Sequence, residues 1–283
     1  EYKTSQALEN YYTTLKKVTQ SISQFNHPGT TFGDFNDFSN YDPEIDSLIN
    51  LVEVGNGEGS IGSSGYFPSY QYYTRALDKG WHVAPSNNQD NHKGKWGDAN
   101  TGRTVLLADS LTRDNLYDAM RNRRSYATED ENLKINYTLN DEVMGTIMDE
   151  KPAAVNIKVN VEDPDGENIN TVKVIVNGGK ELVTKEVNSS SADLSFDLPA
   201  DYSYYYIRVD EADKDIAVTA PVWIGEVDKA GVSKTSVDTE LPIKGESMKI
   251  TSELYNNESK DMDVKSIKYS INGEVINYCE NFG

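Results

Sequence analysis

The chain holds one cysteine, Cys279, and three histidines, His27, His82 and His92, and its 27 basic residues face 46 acidic ones. A lone cysteine excludes an intrachain disulfide framework, so any β-rich part must stand on its own core. The net charge of −19 argues against a phosphate backbone or an anionic membrane as the main partner and suits a solvated exterior. No apolar run nears the ~20 residues of a membrane-spanning helix, and no basic-then-apolar stretch opens the chain, so no membrane insertion is expected of this segment. Internal repeats and low-complexity tracts are also missing. Opening on Glu1 and closing on Gly283, the chain reads as a piece of a larger protein, with any signal or anchor outside it.

What remains is ample for folding. The 283 residues, 37% of them hydrophobic, can bury two cores and part of a third. Within 2–20, apolar groups at Leu8, Tyr11, Tyr12, Leu15 and Val18 recur at helical spacing. A short strand over 22–26 then delivers His27. Asp42 and Pro43 supply an N-cap and a first helical residue, followed by a strand over 51–54 and a glycine-rich loop over 55–65. A helix over 68–78 stopped by Gly80, a strand over 81–84, a polar loop with Asp90 and His92, a strand over 104–108 and a helix over 112–124 capped by Thr112 complete the first region. Helices alternating with short strands predict a parallel sheet, whose ligands lie on loops beyond the carboxyl ends of its strands. His27, Asp90 and His92 fall on such loops.

After about residue 149 the rhythm changes to two. Val155, Ile157, Val159 and Val161, then Val172, Val174 and Val176, then Leu194, Phe196 and Leu198 alternate as half-buried strands do. Residues 150–226 are therefore expected to form an immunoglobulin-like β-sandwich. Beyond a linker from Asp228, residues 227–283 give a further, partial all-β domain with a turn at Asn272 and Gly273.

Imidazole and carboxylate are ligands for Zn²⁺, Mn²⁺ or Fe²⁺. In a chain this poor in histidine, His27 in Phe25-Asn26-His27-Pro28-Gly29 and the pair in Asp90-Asn91-His92 point to a metal. Three ligands leave the shell open for water, substrate or ligands on further chain. The plainer reading makes His27 a turn residue before Pro28 and the other two a loop that caps its own backbone. His82 beside Trp81 reads as packing, and Glu53 is open to a structural or a supporting role. The loop over 55–65 lacks the Lys-Ser/Thr ending of a phosphate-binding loop and reads as a lid or connection. Asp163-Pro164-Asp165-Gly166-Glu167 is first a turn, with alternating carboxylates that could take Ca²⁺.

Phe25-Asn26-His27-Pro28-Gly29, Val52-Glu53-Val54, the run from Leu77 to Pro85, Asp90-Asn91-His92, Arg103-Thr104-Val105 and Arg124-Ser125-Tyr126-Ala127-Thr128 together resemble the carboxyl half of a PHP (polymerase and histidinol phosphatase) domain, nearest the CehA/McbA-type metallohydrolases. The resemblance covers residues 1–149. It implies part of a distorted β/α barrel that carries two or three divalent metals (Zn, Mn or Fe) and hydrolyses phosphoesters. His27, Asp90 and His92 match metal motifs, with Asp90 and His92 at the catalytic centre. The family's opening H-x-H and further His and Glu ligands have no counterpart here, which implies a partner segment supplying the amino half.

The expected fold is thus multidomain, a partial PHP-like barrel followed by a β-sandwich and a truncated β domain. The expected activity is that of a metal-dependent phosphoesterase acting on a phosphorylated small molecule or a nucleic-acid end, with Arg103 placed to contact phosphate. Its expected location is secreted or on a bacterial cell surface. The alternatives are a surface adhesin or carbohydrate-binding protein on a degenerate barrel, and a metal cluster that is purely structural.

Overall fold

A computed structural model describes residues 5–225, 230–238, 247–256, 263–271 and 274–280. Among the described residues strand outweighs helix, 42% against 14%, and no sheet closes into a barrel. The chain is β-rich and built of several sheets.

The first region starts with α1 (Ser5–Leu15), β1 (Ser23–Phe25), the four-residue α2 (Pro43–Asp46), β2 (Ile49–Asn56), β3 (Phe67–Pro68), α3 (Tyr70–Asp78) and β4 (Ala84–Asn88). Asp42 caps α2, its carboxylate accepting from the Glu44 N–H, as the Asp-Pro pair predicts. Strand β2 lies between β1 and β4, parallel to both. Its residues are buried throughout, as a strand covered on both faces must be. The expected strand over 81–84 is displaced: Trp81 and Val83 are fully buried, but ladder pairing begins at Ala84. The Trp81 indole instead donates to the Phe38 carbonyl at 2.9 Å and meets the rings of Tyr12, Phe25 and Tyr41.

The strand pairs described beyond β4 are antiparallel. The next elements are β5 (Arg103–Leu106), α4 (Arg113–Arg121), β6 (Ser125–Thr128), β7 (Lys134–Leu139) and β8 (Glu142–Val143). Strand β6 pairs antiparallel with β5 on one side and with β14 (Ile216–Thr219) on the other. The expected continuation of the parallel sheet is therefore corrected, because the last strands of the first region find their partners in the sandwich. Strands β9 (Ala154–Glu162), β10 (Ile169–Val176), β11 (Lys180–Ser189), β12 (Ser191–Pro199), β13 (Tyr204–Glu211), β14 and β15 (Val222–Trp223) complete it. One sheet runs β11-β10-β13-β14-β6-β5 with β15 beside β13, and the other runs β12-β9-β7-β8. Strands on both sides of residue 149 thus share each sheet.

The seven-stranded sheet is covered on both faces. Val172, Val174, Ile207 and Val209 face Ile135, Tyr137, Ile157 and Val159 of the second sheet. On the opposite side Ile175, Tyr204, Tyr206 and Val218 pack with Tyr73, Leu77 and Trp81. The tyrosine run splits accordingly, Tyr204 and Tyr206 going one way and Tyr205 the other. The Tyr205 hydroxyl donates back to the Pro199 carbonyl at 2.6 Å, the tyrosine-corner contact of sandwich folds. Asp78 at the end of α3 accepts from the Gly178 N–H at 3.0 Å and from the Tyr204 hydroxyl at 2.7 Å, and burial pushes its carboxyl up to about 6.

Gly145 shows how tightly the segment between β8 and β9 is set. Its φ is +93°, its N–H donates to the Pro221 carbonyl, and an added Cβ would lie 2.5 Å from the Asn122 and Arg123 carbonyl oxygens. Gly145→Ala is expected to cost more than about 2 kcal/mol, through a strained backbone plus a clash with rigid main chain. A urea melt with unchanged midpoint would contradict this packing.

Beyond 225 the described residues form two antiparallel strand pairs, Ala230–Val237 with Ile250–Asn256 and Ser266–Ile271 with Glu274–Glu280. The linker at Asp228 and the turn at Asn272 and Gly273 lie outside the described residues. Among the described residues no helix is long and apolar enough to cross a membrane.

Candidate functional site

The carboxyl ends of β1, β2 and β4 lie side by side, since the three strands are parallel neighbours. This edge gathers His27 after β1, Glu53, Asn56 and Glu58 on or after β2, and Asn88, Asp90 and His92 on or after β4. Glu53 is its hub. Its carboxylate is buried and accepts from the His27 N–H at 2.6 Å and from the side-chain amides of Asn56 at 3.1 Å and Asn88 at 2.9 Å. Burial raises its pKa above the ordinary carboxylate range, and the three donors work against that rise. One acidic side chain thus ties the β1 loop to the end of β4.

His27 and Asp90 both adopt left-handed backbone, with φ of +36° and +45°. For residues with a Cβ that conformation costs energy and is held by its surroundings, and such strain concentrates where a side chain must be aimed. His92 Nδ1 lies 2.6 Å from the Asp90 carbonyl oxygen. A carbonyl only accepts, so Nδ1 carries the proton and Nε2 presents its lone pair, the arrangement that prepares imidazole to bind a metal. The His92 N–H reaches Glu58 at 3.3 Å, and Lys93 pairs with the same carboxylate at 2.9 Å, holding the Glu58 carboxyl below its usual range.

The three expected ligands share this edge without converging on one point. Among the described residues, the group of three or more His, Cys, Asp and Glu whose ligand atoms lie within 4.8 Å of one another is Asp130, Asp163 and Glu167, not His27, Asp90 and His92. Asp90 and His92 are exposed, whereas His27 is half-buried. In kind the donors suit a divalent ion, but in arrangement they do not gather into one ligand group.

Arg103 is already engaged. Its Nη1 donates to the Asn100 and Gly102 carbonyls at 2.7 and 2.8 Å, and its Nη2 reaches Glu131 at 3.4 Å. A forked phosphate contact would require these bonds to open. His82 is a structural residue, with its Nδ1 and N–H on the two carboxylate oxygens of Asp46 at 2.6 and 2.7 Å. The glycine-rich loop after β2 is a pinned connection. Gly59 N–H bonds to the Gly65 carbonyl, and the Asn100 side chain donates to the Gly57 and Gly59 carbonyls at 2.9 and 2.8 Å.

Beneath the edge a polar seam joins the small sheet to the sandwich. Asn87 donates to the Tyr66 hydroxyl and to the Thr128 carbonyl, both at 3.0 Å, and Tyr66 donates to Glu129 at 2.9 Å. Glu129 also accepts from the Ile216 N–H at 2.9 Å. Beside His27 a cleft of about 270 Å³ opens between α1 and β1, lined by Leu8, Tyr12, Phe25 and Phe32 among others. Among the described residues β1 is the outer strand of its sheet.

Fold and edge define a β-rich, multi-sheet protein with polar side chains gathered at the carboxyl ends of parallel strands. No family model matches the chain. It is similar to an uncharacterized protein of Chlamydia pneumoniae, 26% identical over 140 residues, which is 44% of this chain and 22% of that protein. The match thus spans about a fifth of the relative's length.

Proposed function

We propose that this edge is part of the active site of a metal-dependent hydrolase, most simply a phosphoesterase of the PHP type. The observation that carries the reading is Glu53, a buried carboxylate that fixes the His27 loop and the end of β4 in one network. In this reading His27, Asp90 and His92 hold the ion from one side. In the same reading a further segment would complete the barrel and the ligand shell. A bound divalent ion supplies an acidified water and polarises a phosphoryl oxygen.

The chain's own residues set the stage for that chemistry. Glu53 orients the His27 loop, the Asp90 carbonyl selects the His92 tautomer, and Asp90 offers a carboxylate at the solvent boundary. The imidazoles bind a metal only when neutral, so metal and proton compete for them. Location outside the cell or on its surface belongs to the same proposal.

The test is hydrolysis of an aryl phosphodiester by the protein supplied with Zn²⁺, Mn²⁺ or Fe²⁺. Asp90→Asn should lower turnover by about a hundredfold or more and leave the melting temperature unchanged, because the residue is exposed and buries no partner. Equal turnover in the variant, or a protein that neither retains metal nor turns over, would overturn the reading in favour of a binding role.

A further inference from the structure

A second cluster, apart from the strand-end site, lies at one end of the sandwich where three connections meet. Asp130 comes from the β6–β7 connection, Asp163 and Glu167 from the β9–β10 turn, and Glu211 from the end of β13. Asp130, Asp163 and Glu167 place ligand oxygens within 4.8 Å of one another.

Acidic groups often gather on a surface, but Glu211 sets this cluster apart. It is 1% exposed, and among the described residues neither of its carboxylate oxygens has a hydrogen-bond partner; the same holds for Oδ2 of Asp163, 3% exposed. Native proteins leave few buried polar atoms unsatisfied, and an unpaired buried carboxylate is among the costliest. Burial and the repulsion of Asp130, Asp163, Glu167 and Asp213 push the Glu211 carboxyl up to about 8. Asp215 is pushed up to about 7 by burial and by Asp213, Glu129, Asp130 and Glu167.

The surrounding backbone holds the connections together. The Ala212 N–H bonds to the Asn168 carbonyl at 2.8 Å, the Asn170 side chain to the Glu211 carbonyl at 3.2 Å, and the Asn132 side chain to Asp165 at 2.6 Å. Asp130 Oδ1 accepts from the Asn132 and Leu133 N–H groups, and Asp163 Oδ1 from the Glu167 N–H. Asp163 therefore spends one oxygen on its own turn and keeps the other for the cluster.

We propose that Asp130, Asp163 and Glu167 form a calcium site, backed by the buried carboxylate of Glu211, that clamps the three connections at this end of the sandwich. An all-oxygen, all-carboxylate set suits a hard cation, and the larger, more tolerant Ca²⁺ suits several carboxylates better than the strictly octahedral, strongly hydrated Mg²⁺ does. A cation would engage the Glu211 oxygens and Asp163 Oδ2, which find no donor among the described residues.

The experiment is calorimetric titration of the EDTA-stripped full chain with CaCl2 at pH 7.5, with thermal melts in Ca²⁺ and in Mg²⁺. One Ca²⁺ per chain should bind, raising the melting temperature by about 5–10 °C at a hundredfold excess over Kd. Glu211→Gln and Asp163→Asn should each weaken binding at least tenfold, while Asp90→Asn, in the other site, should leave it intact. Absence of calcium binding, or equal binding by Glu211→Gln and Asp163→Asn, would show that protons alone neutralise the cluster and would overturn the proposal.

Discussion

Replacing Glu53 by alanine is expected to destabilise the protein by about 3–5 kcal/mol and to abolish whatever activity the strand-end site has. The loss has two parts. The His27 N–H and the amides of Asn56 and Asn88 would lose their common acceptor, and each buried donor left unmade costs about 1–3 kcal/mol unless water reaches it. The loops after β1 and β4 would also lose the carboxylate that joins them. Glutamine should recover most of the stability, because burial already disfavours the charged form of Glu53 and one amide oxygen still accepts. It should not recover full activity, since its NH2 must oppose a donor unless a neighbouring asparagine turns over. Urea melts of the two variants, with turnover measured alongside, check both statements. Equal stability of wild type and Glu53→Ala would mean that the network does not hold the edge.

Trp81→Ala is the second large effect. The indole is fully buried and surrounded by Tyr12, Phe25 and Tyr41, and its N–H satisfies the Phe38 carbonyl. Truncation opens a cavity and strands a carbonyl, for an expected cost of about 3–5 kcal/mol. Trp81→Phe fills most of the volume and loses only the hydrogen bond, so it should cost distinctly less. The same ring packs in the core shared by α1, α3 and one face of the seven-stranded sheet. Unfolding should therefore remain one cooperative step, with both lowered midpoints shared by fluorescence and far-ultraviolet circular dichroism. Separate transitions would contradict a shared core.

Local chemistry was the readable part of the sequence. Asp42 and Thr112 cap the helices they were expected to cap, and the alternating valines of β9 give alternating burial. Pairing partners were less readable. Ser125-Tyr126-Ala127-Thr128 is short and buried throughout, and its pattern is the same whether it joins a parallel sheet or, as it does, sits antiparallel between β5 and β14. Trp81 and Val83 have the burial of strand residues without a ladder, which hydrophobicity cannot distinguish.

The site shows the same division. Positions of His27, Asp90 and His92 beyond strand ends followed from element order, whereas Glu53's three hydrogen bonds depend on register between β1, β2 and β4. Glu211 carries no signal of its own: an acidic residue ending an amphipathic strand reads as solvated, and only the fold brings it to Asp130 and Asp163. The Asp163–Glu167 turn was the one legible hint at that end.

The most direct test of the central claim is anomalous diffraction from crystals of the protein grown with Zn²⁺ or Mn²⁺, measured at the metal edge. The account predicts a peak at the carboxyl end of the parallel sheet, about 2.0–2.2 Å from ligand atoms of His27, Asp90 or His92. A map with density only at Asp130, Asp163 and Glu167, or with no peak near His27, would contradict it.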